Sequence, residues 1–251
     1  MEASRKFLVV IFLVVLLASL LTRAESESNE TGCFEFPKRF KNFAYFNVSD
    51  LDLSESSEFN LTFRTTKDDG IIFYIEGQFS RTAPYDFESL YIRNGKLNHL
   101  VFNPEPTGIG SSFGSYVNTD FDVNTNNEIK VNFFRRKEFP ADGSDNDDSV
   151  HLARTGKSVT KTVHRTGFIV NEREFTILSA PFPLDLKNER EEQLIWIGGG
   201  LPNRNLDPFE GIIQDIVDVK SNRKLTTPDS NKNLYMTCQN GGEDEEVVIE
   251  T

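Results

Sequence analysis

The 251-residue chain has only two cysteines, two methionines, three histidines and one tryptophan. Two cysteines exclude a scaffold stapled by several disulfides. His99, His151 and His164 are scattered and the cysteines lie far apart, so no zinc site has ligands at the needed spacing. Basic residues are also short, 27 against 39 acids, giving a formal net charge of −12. Binding to a phosphate backbone needs a basic face, so nucleic acid is excluded as a partner. Missing too is any long stripe of apolar residues at spacings of three and four, which excludes a helical bundle.

The one long apolar run stands at the start. Arg5 and Lys6 precede FLVVIFLVVLL, and the segment ends on Thr22, Arg23 and Ala24. This pattern predicts a signal peptide over residues 1–24, cleaved after Ala24, and a secreted, extracellular chain. The run from Phe7 to Leu21 is interrupted by Ser19 and falls short of the roughly 20 apolar residues a membrane span requires, so the expectation is no integral membrane protein after cleavage. Cleavage removes three basic residues and one acid, taking the charge from −12 to −14. In an oxidising compartment Cys33 and Cys238 most simply pair, with two free thiols as the alternative. Pairing requires the two ends of the chain to meet, since Cα atoms more than about 7 Å apart cannot be bridged.

What the chain does have is 22 phenylalanines and a period-two pattern. FNLTFRT, IIFYIEG, SLYIRNG, KLNHLVFN, EIKVNFFRR, TGFIV, EFTIL, LIWIGG and GIIQDIVDV all read as strands. Asp68-Asp69-Gly70 and Asn94-Gly95 supply hairpin turns. The chain therefore reads as one all-β antiparallel sandwich. Residues 103–115 and 138–165 are expected as surface loops, and 241–251 as an acidic disordered tail. Sequons at Asn29, Asn47 and Asn60 offer N-glycosylation; at Asn60 this requires an outward side chain while Phe59, Leu61 and Phe63 face inward.

Several short motifs suggest chemistry. The triplet Gly198-Gly199-Gly200 has neither a following helix nor a Lys-Ser/Thr pair, so it reads as a strand exit rather than a phosphate cradle. Gly110-Ser111-Ser112-Phe113-Gly114 matches G-x-S-x-G without the strand-to-helix context a nucleophile needs. Asp50, Asp52 and Glu55 cluster as glycosidase carboxylates do, but no aromatic cleft accompanies them. Asp142, Asp145, Asp147 and Asp148 lack the EF-hand spacing and read as a solvated loop. Arg135, Arg136 and Lys137, with Arg154, Lys157, Lys161 and Arg165, are expected to form a basic strip for sulfated glycans and other polyanions. These readings leave no catalytic residue and a non-enzymatic protein.

Taken in order, FNLTFRTTKDDGIIFYIEG, DFESLYIRNGKL and IWIGGGLPNRNLDPFEGIIQDI resemble the opening strand pair, next hairpin and closing block of the laminin G-like domain, the module of laminins, neurexins, agrin and perlecan. The resemblance covers about residues 43–238. It implies a jelly-roll sandwich over 43–240, preceded by a segment 25–42 that carries Cys33. The family's usual cysteine after F-x-G is Ile212 here, so the resemblance makes Cys33 the natural partner of Cys238. Many members hold one calcium ion at the rim. Asp86 matches the family's aspartate, the carbonyl position falls near Pro104 and a second side-chain ligand near Ser179. This implies a weak Ca2+ site, with a plain loop aspartate as the alternative. The implied function is adhesion or recognition of an extracellular protein or glycan ligand, such as a cell-surface receptor or matrix glycan. A carbohydrate-active or carbohydrate-binding protein, or a carrier of a small apolar ligand, remain alternatives on the same sandwich.

Overall fold

The computed structural model describes residues 32–38, 42–77, 86–104, 112–138, 163–179, 183–188, 190–199 and 207–238. The signal segment, Asn29, the 142–148 acids, His151, Arg154, Lys157, Lys161, Gly200 and the tail lie outside the described residues, as do the side chains of Pro104, Ser112 and Ser179. Among the described residues every regular element is a strand: β1 (Cys33–Phe36), β2 (Phe43–Asn47), β3 (Ser57–Arg64), β4 (Gly70–Glu76), β5 (Phe87–Arg93), β6 (Lys96–Pro104), β7 (Ser112–Asn118), β8 (Ile129–Glu138), β9 (Val163–Val170), β10 (Arg173–Ser179), β11 (Leu194–Ile197), β12 (Gly211–Asp218), β13 (Arg223–Lys224) and β14 (Ser230–Lys232).

They form two antiparallel sheets. One runs β1-β12-β3-β8-β9-β10, with β13 also on β12; the other runs β14-β2-β11-β4-β5-β6-β7. The alternation of FNLTFR decides how β3 sits. Phe59, Leu61 and Phe63 are buried while Asn60 is exposed, as a strand with one wet face requires. Phenylalanine fills the space between the sheets. Phe59 of β3 and Phe133 of β8 meet Phe73 of the facing β4, with ring centroids 5.1 and 4.9 Å away, in tilted and edge-on arrangements that aromatic quadrupoles favour. These rings occupy the place an apolar cargo would need.

Two expectations are corrected. The sandwich begins at Cys33 rather than at residue 43, because β1 pairs with β12. The 103–115 loop is shorter than expected, because β7 starts at Ser112 and pairs with β6 from Pro104 to Asn98. SFGSYVN carries small and polar residues at alternate places, so its apolar pattern is too thin to announce a strand. Ser112 thus opens an antiparallel strand and sits on no nucleophile turn.

The first two glycines of the closing-block triplet are explained by geometry. Gly198 and Gly199 have φ of 77° and 116°, backbone that side chains rarely adopt. A Cβ on Gly198 would also lie 2.0 Å from the Phe36 ring. They turn the chain out of β11, and Phe209 N–H donates to the Gly198 carbonyl on its return.

At the other end, β1 lies between β12 and the closing segment. Glu35 pairs with Ile212 on one side and exchanges two 2.9 Å backbone hydrogen bonds with Tyr235 on the other. The segment that would reach a cysteine at 212 therefore reaches β1 instead. Cys33 and Cys238 are joined, their Cα atoms 5.7 Å apart.

Candidate functional site

One end of the sandwich gathers most of the residues the sequence singles out. Phe87, at the start of β5, is opposite Phe102 of β6, and Ser57 of β3 is opposite Arg135 of β8. Ser57 and Glu88 join the two sheets here. Inside this end lies a buried polar cluster. Glu88 accepts hydrogen bonds from Ser57 Oγ at 2.8 Å, and its Oε1 is 3.0 Å from His99 Nε2. Arg135 Nε is 3.8 Å from Glu88 Oε2, and its Nη1 and Nη2 donate to the carbonyls of Ser54 and Leu53 at 2.8 and 2.5 Å.

Burial pushes the Glu88 carboxyl up, but the His99 hydrogen bond and the Arg135 charge outweigh it and hold the group below the usual carboxylate range. Ser57, His99 and Glu88 do not form a nucleophilic triad. Serine and histidine both contact the carboxylate, so no base sits on the hydroxyl, and the side chains are buried.

The expected basic strip is corrected by this placement. Arg135 is 0% exposed and cannot meet a polyanion outside the molecule. Its parity along β8 puts it inward with Val131 and Phe133. Arg136 lies 3.8 Å over the Phe134 ring and holds Glu58 through two hydrogen bonds of 2.9 and 2.7 Å. Lys137 bonds Glu55 at 2.9 Å, and Arg165 lies between Glu138 at 3.0 Å and Glu174 at 3.4 Å. Each outward cation of the described strip faces a carboxylate, which cancels the field that would draw a polyanion.

The clustered acids are likewise structural. Asp50 pairs with Arg223, Asp52 accepts from Ser54 N–H and Oγ at 3.2 and 2.7 Å, and Glu55 holds Lys137. The Ser54 hydrogen bonds lower the Asp52 pKa and the Lys137 hydrogen bond lowers that of Glu55. Neither is kept protonated as a glycosidase acid must be.

Above the buried cluster, residues 183–188 cross the rim. Asp86 Oδ2 accepts the Asp185 N–H at 2.7 Å, Asn103 Nδ2 donates to the Pro183 carbonyl at 2.8 Å, and Leu184 N–H donates to the Ser54 carbonyl at 3.0 Å. Gly77 makes room for them, since a Cβ there would lie 1.8 Å from the Asp185 carbonyl oxygen. Burial raises the Asp86 pKa; the Asp185 N–H opposes that and the Asp185 carboxylate adds to it. Of the expected calcium set, Asp86 and Pro104 stand at neighbouring strand ends of one sheet, and Ser179 ends β10 in the other. The carboxylate that joins Asp86 is Asp185, in a segment with no strand pattern to place it. Among the described residues no three His, Cys, Asp or Glu side chains form a group able to hold a metal.

Both described sequons have local geometry worth noting. Asn47 Oδ1 accepts from Ser49 N–H at 3.0 Å and Ser49 Oγ at 2.7 Å, and Asn60 Oδ1 accepts from Asn132 Nδ2 at 2.9 Å.

Stability is expected to depend on pH through His164, which stands on β9 opposite Lys137 of β8. His164 is buried, and burial followed by the Arg135 charge lowers its pKa. A histidine with a lowered folded pKa binds fewer protons folded than unfolded. Its contribution is complete above the unfolded pKa of about 6.5 and is lost as pH falls through the folded value. The thermal midpoint should therefore drop between pH 7 and pH 5, and drop less in His164→Gln. Equal slopes in the two proteins would remove His164 as the cause.

No family model matches the chain, and no curated protein matches it by sequence. Solved structures do. The LG1-3 region of the laminin alpha2 chain is similar over 82% of this chain and 34% of its own length, at 15% identity and a TM-score of 0.53. Domains LG4-5 of the mouse laminin alpha1 chain are similar over 81% of this chain and 46% of theirs, at 15% identity and a TM-score of 0.54. The chain thus spans less than half the length of either structure. Among the described residues no helix is long and apolar enough to cross a membrane. Strand order, sheet pairing and these similarities agree that the chain has the laminin G-like fold, an all-β jelly-roll sandwich.

Proposed function

We propose that this chain is a secreted, non-enzymatic recognition module that binds an extracellular protein or glycan through the rim carrying Asp86 and residues 183–188. The observation that carries this reading is the rim itself. A backbone segment is held across both sheets by Asp86, Asn103 and Ser54, which fixes a contact surface in advance and lowers the entropy cost of binding. The laminin G-like fold, the leader pattern and the Cys33–Cys238 bridge support an extracellular setting.

Calcium belongs to the proposal as an organiser of the rim. Asp86 would supply one carboxylate oxygen and Asp185 another, with the Pro104 and Ser179 region closing the set. Burial and mutual repulsion raise the Asp86 pKa, and a divalent cation would relieve both.

The test is calorimetry of the secreted chain with calcium, repeated on Asp86→Ala, beside capture of partners from extracellular extract with and without calcium. A millimolar to sub-millimolar affinity that falls at least about tenfold in the variant is expected. Identical heats would reject the metal. A captured set unchanged by substitutions at Asp86, Asn103 and Asp185 would reject the rim.

A further inference from the structure

The outer face of the second sheet, away from the core, has an aromatic surface that the rim reading does not use. Register aligns Tyr45 of β2, Trp196 of β11 and Tyr74 of β4 across neighbouring strands, and continues through Ser89 and Leu100 to Tyr116 of β7. The next row aligns Ile71, Tyr91, Asn98 and Asn118. Near the β7 edge these rows enclose a depression of about 350 Å³ lined by Tyr91, Arg93, Lys96, Asn98, Tyr116 and Asn118.

Its parts are arranged for a particular chemistry. Tyr116 donates its hydroxyl to Asn98 Oδ1 at 2.6 Å, and Asn98, itself buried, donates Nδ2 to the Lys96 carbonyl at 2.6 Å. The phenol is thereby fixed by its tip while the residue as a whole stays 51% exposed. A ring held this way presents a face without losing rotamer freedom on binding. That face carries negative quadrupole charge, which attracts the polarised C–H bonds of a pyranose.

Charge narrows the ligand further. The chain has an excess of acids, yet the depression is lined by two cations and no carboxylate. Lys96 is held by Asp122 at 2.8 Å, while Arg93 pairs with no carboxylate among the described residues. Arg93 sits at the β5–β6 hairpin end, where Asn94 and Gly95 take φ of 51° and 74° in a tight turn. Its guanidinium fork suits a carboxylate or sulfate bidentately. Asn118, exposed on β7, offers an amide for ring hydroxyls.

We propose that this depression is a second binding site, for an acidic saccharide whose ring stacks on Tyr116 and whose anionic group is held by Arg93. The volume lies at the low end for ligand pockets and suits about one or two sugar rings. The site is separate from the rim and does not depend on calcium.

Saturation-transfer NMR on the full secreted chain tests it, with sodium glucuronate, glucose and sodium acetate as probes in the presence of a chelator. Ring protons of glucuronate should receive saturation, with about tenfold weaker binding for glucose and none for acetate. Arg93→Gln should bring glucuronate to the level of glucose, and Tyr116→Ala should abolish both. Tyr116→Phe keeps the ring but loses the anchor, and should weaken both probes without changing their ratio; it also serves if the alanine variant unfolds. No transfer from glucuronate at millimolar concentration, or transfer unchanged in the Tyr116 variants, overturns the site. Either result leaves the rim reading standing if partner capture still depends on Asp86, so the two failures are distinguishable.

Discussion

Arg135→Met should lower stability by about 3–5 kcal/mol, the cost of breaking a buried ion pair from one side. The charge on Glu88 would remain in the interior with only Ser57 and His99 as partners, and the Leu53 and Ser54 carbonyls would lose their donors. For a sandwich of this size the thermal midpoint should fall by about 10 °C. Adding Glu88→Leu should restore part of the loss, because removing both charges leaves neither uncompensated. The remainder belongs to the two carbonyls, which no substitution at Glu88 repairs. Thermal or denaturant unfolding of the two single variants and the double variant gives the coupling directly. An Arg135→Met protein within 1 kcal/mol of the parent would show that the cluster contributes little.

The second large effect is expected from the disulfide. Cys33 and Cys238 are separated by 205 residues, nearly the whole sandwich. Closing so long a loop limits the unfolded chain by an amount worth about 5 kcal/mol on the chain-entropy account. Replacing both cysteines by serine should remove stability of that order, read as a lower urea midpoint. The loss should begin at one place. β1 is held by β12 and by the Tyr235 bridge, so the amides of Glu35 and Tyr235 should lose hydrogen-exchange protection first. Unchanged protection there, or a midpoint insensitive to reduction of the parent protein, would contradict this account.

Much of the fold is legible in the sequence because its strands alternate. β3 through β6, β8 through β10, β11 and β12 each carry enough apolar residues at one parity to be recognised. β1, β13 and β14 are short, and β7 has glycine and serine where larger residues would mark a face, so their pairing is decided by neighbours. The site is less legible in the sequence. Arg135 sits in FFRRK, which looks like a basic patch until the parity of Val131 and Phe133 is carried two residues further. Glu88 with Leu90 and Ile92, and His99 with Leu97 and Val101, give the same signal of charge at an inward place. Asp185 gives none, because 183–188 is irregular backbone whose position depends on Gly77, Asp86 and Asn103.

The Cys33–Cys238 bridge also decides how the molecule responds to tension. A pull applied to the chain on the two sides of the pair crosses from one cysteine to the other over Cα atoms 5.7 Å apart, through covalent bonds alone. The strands between them carry none of that force, and no hydrogen bond of either sheet has to yield. Stretching the two ends against each other therefore leaves both sheets unloaded, and the molecule keeps its shape for as long as the disulfide is intact.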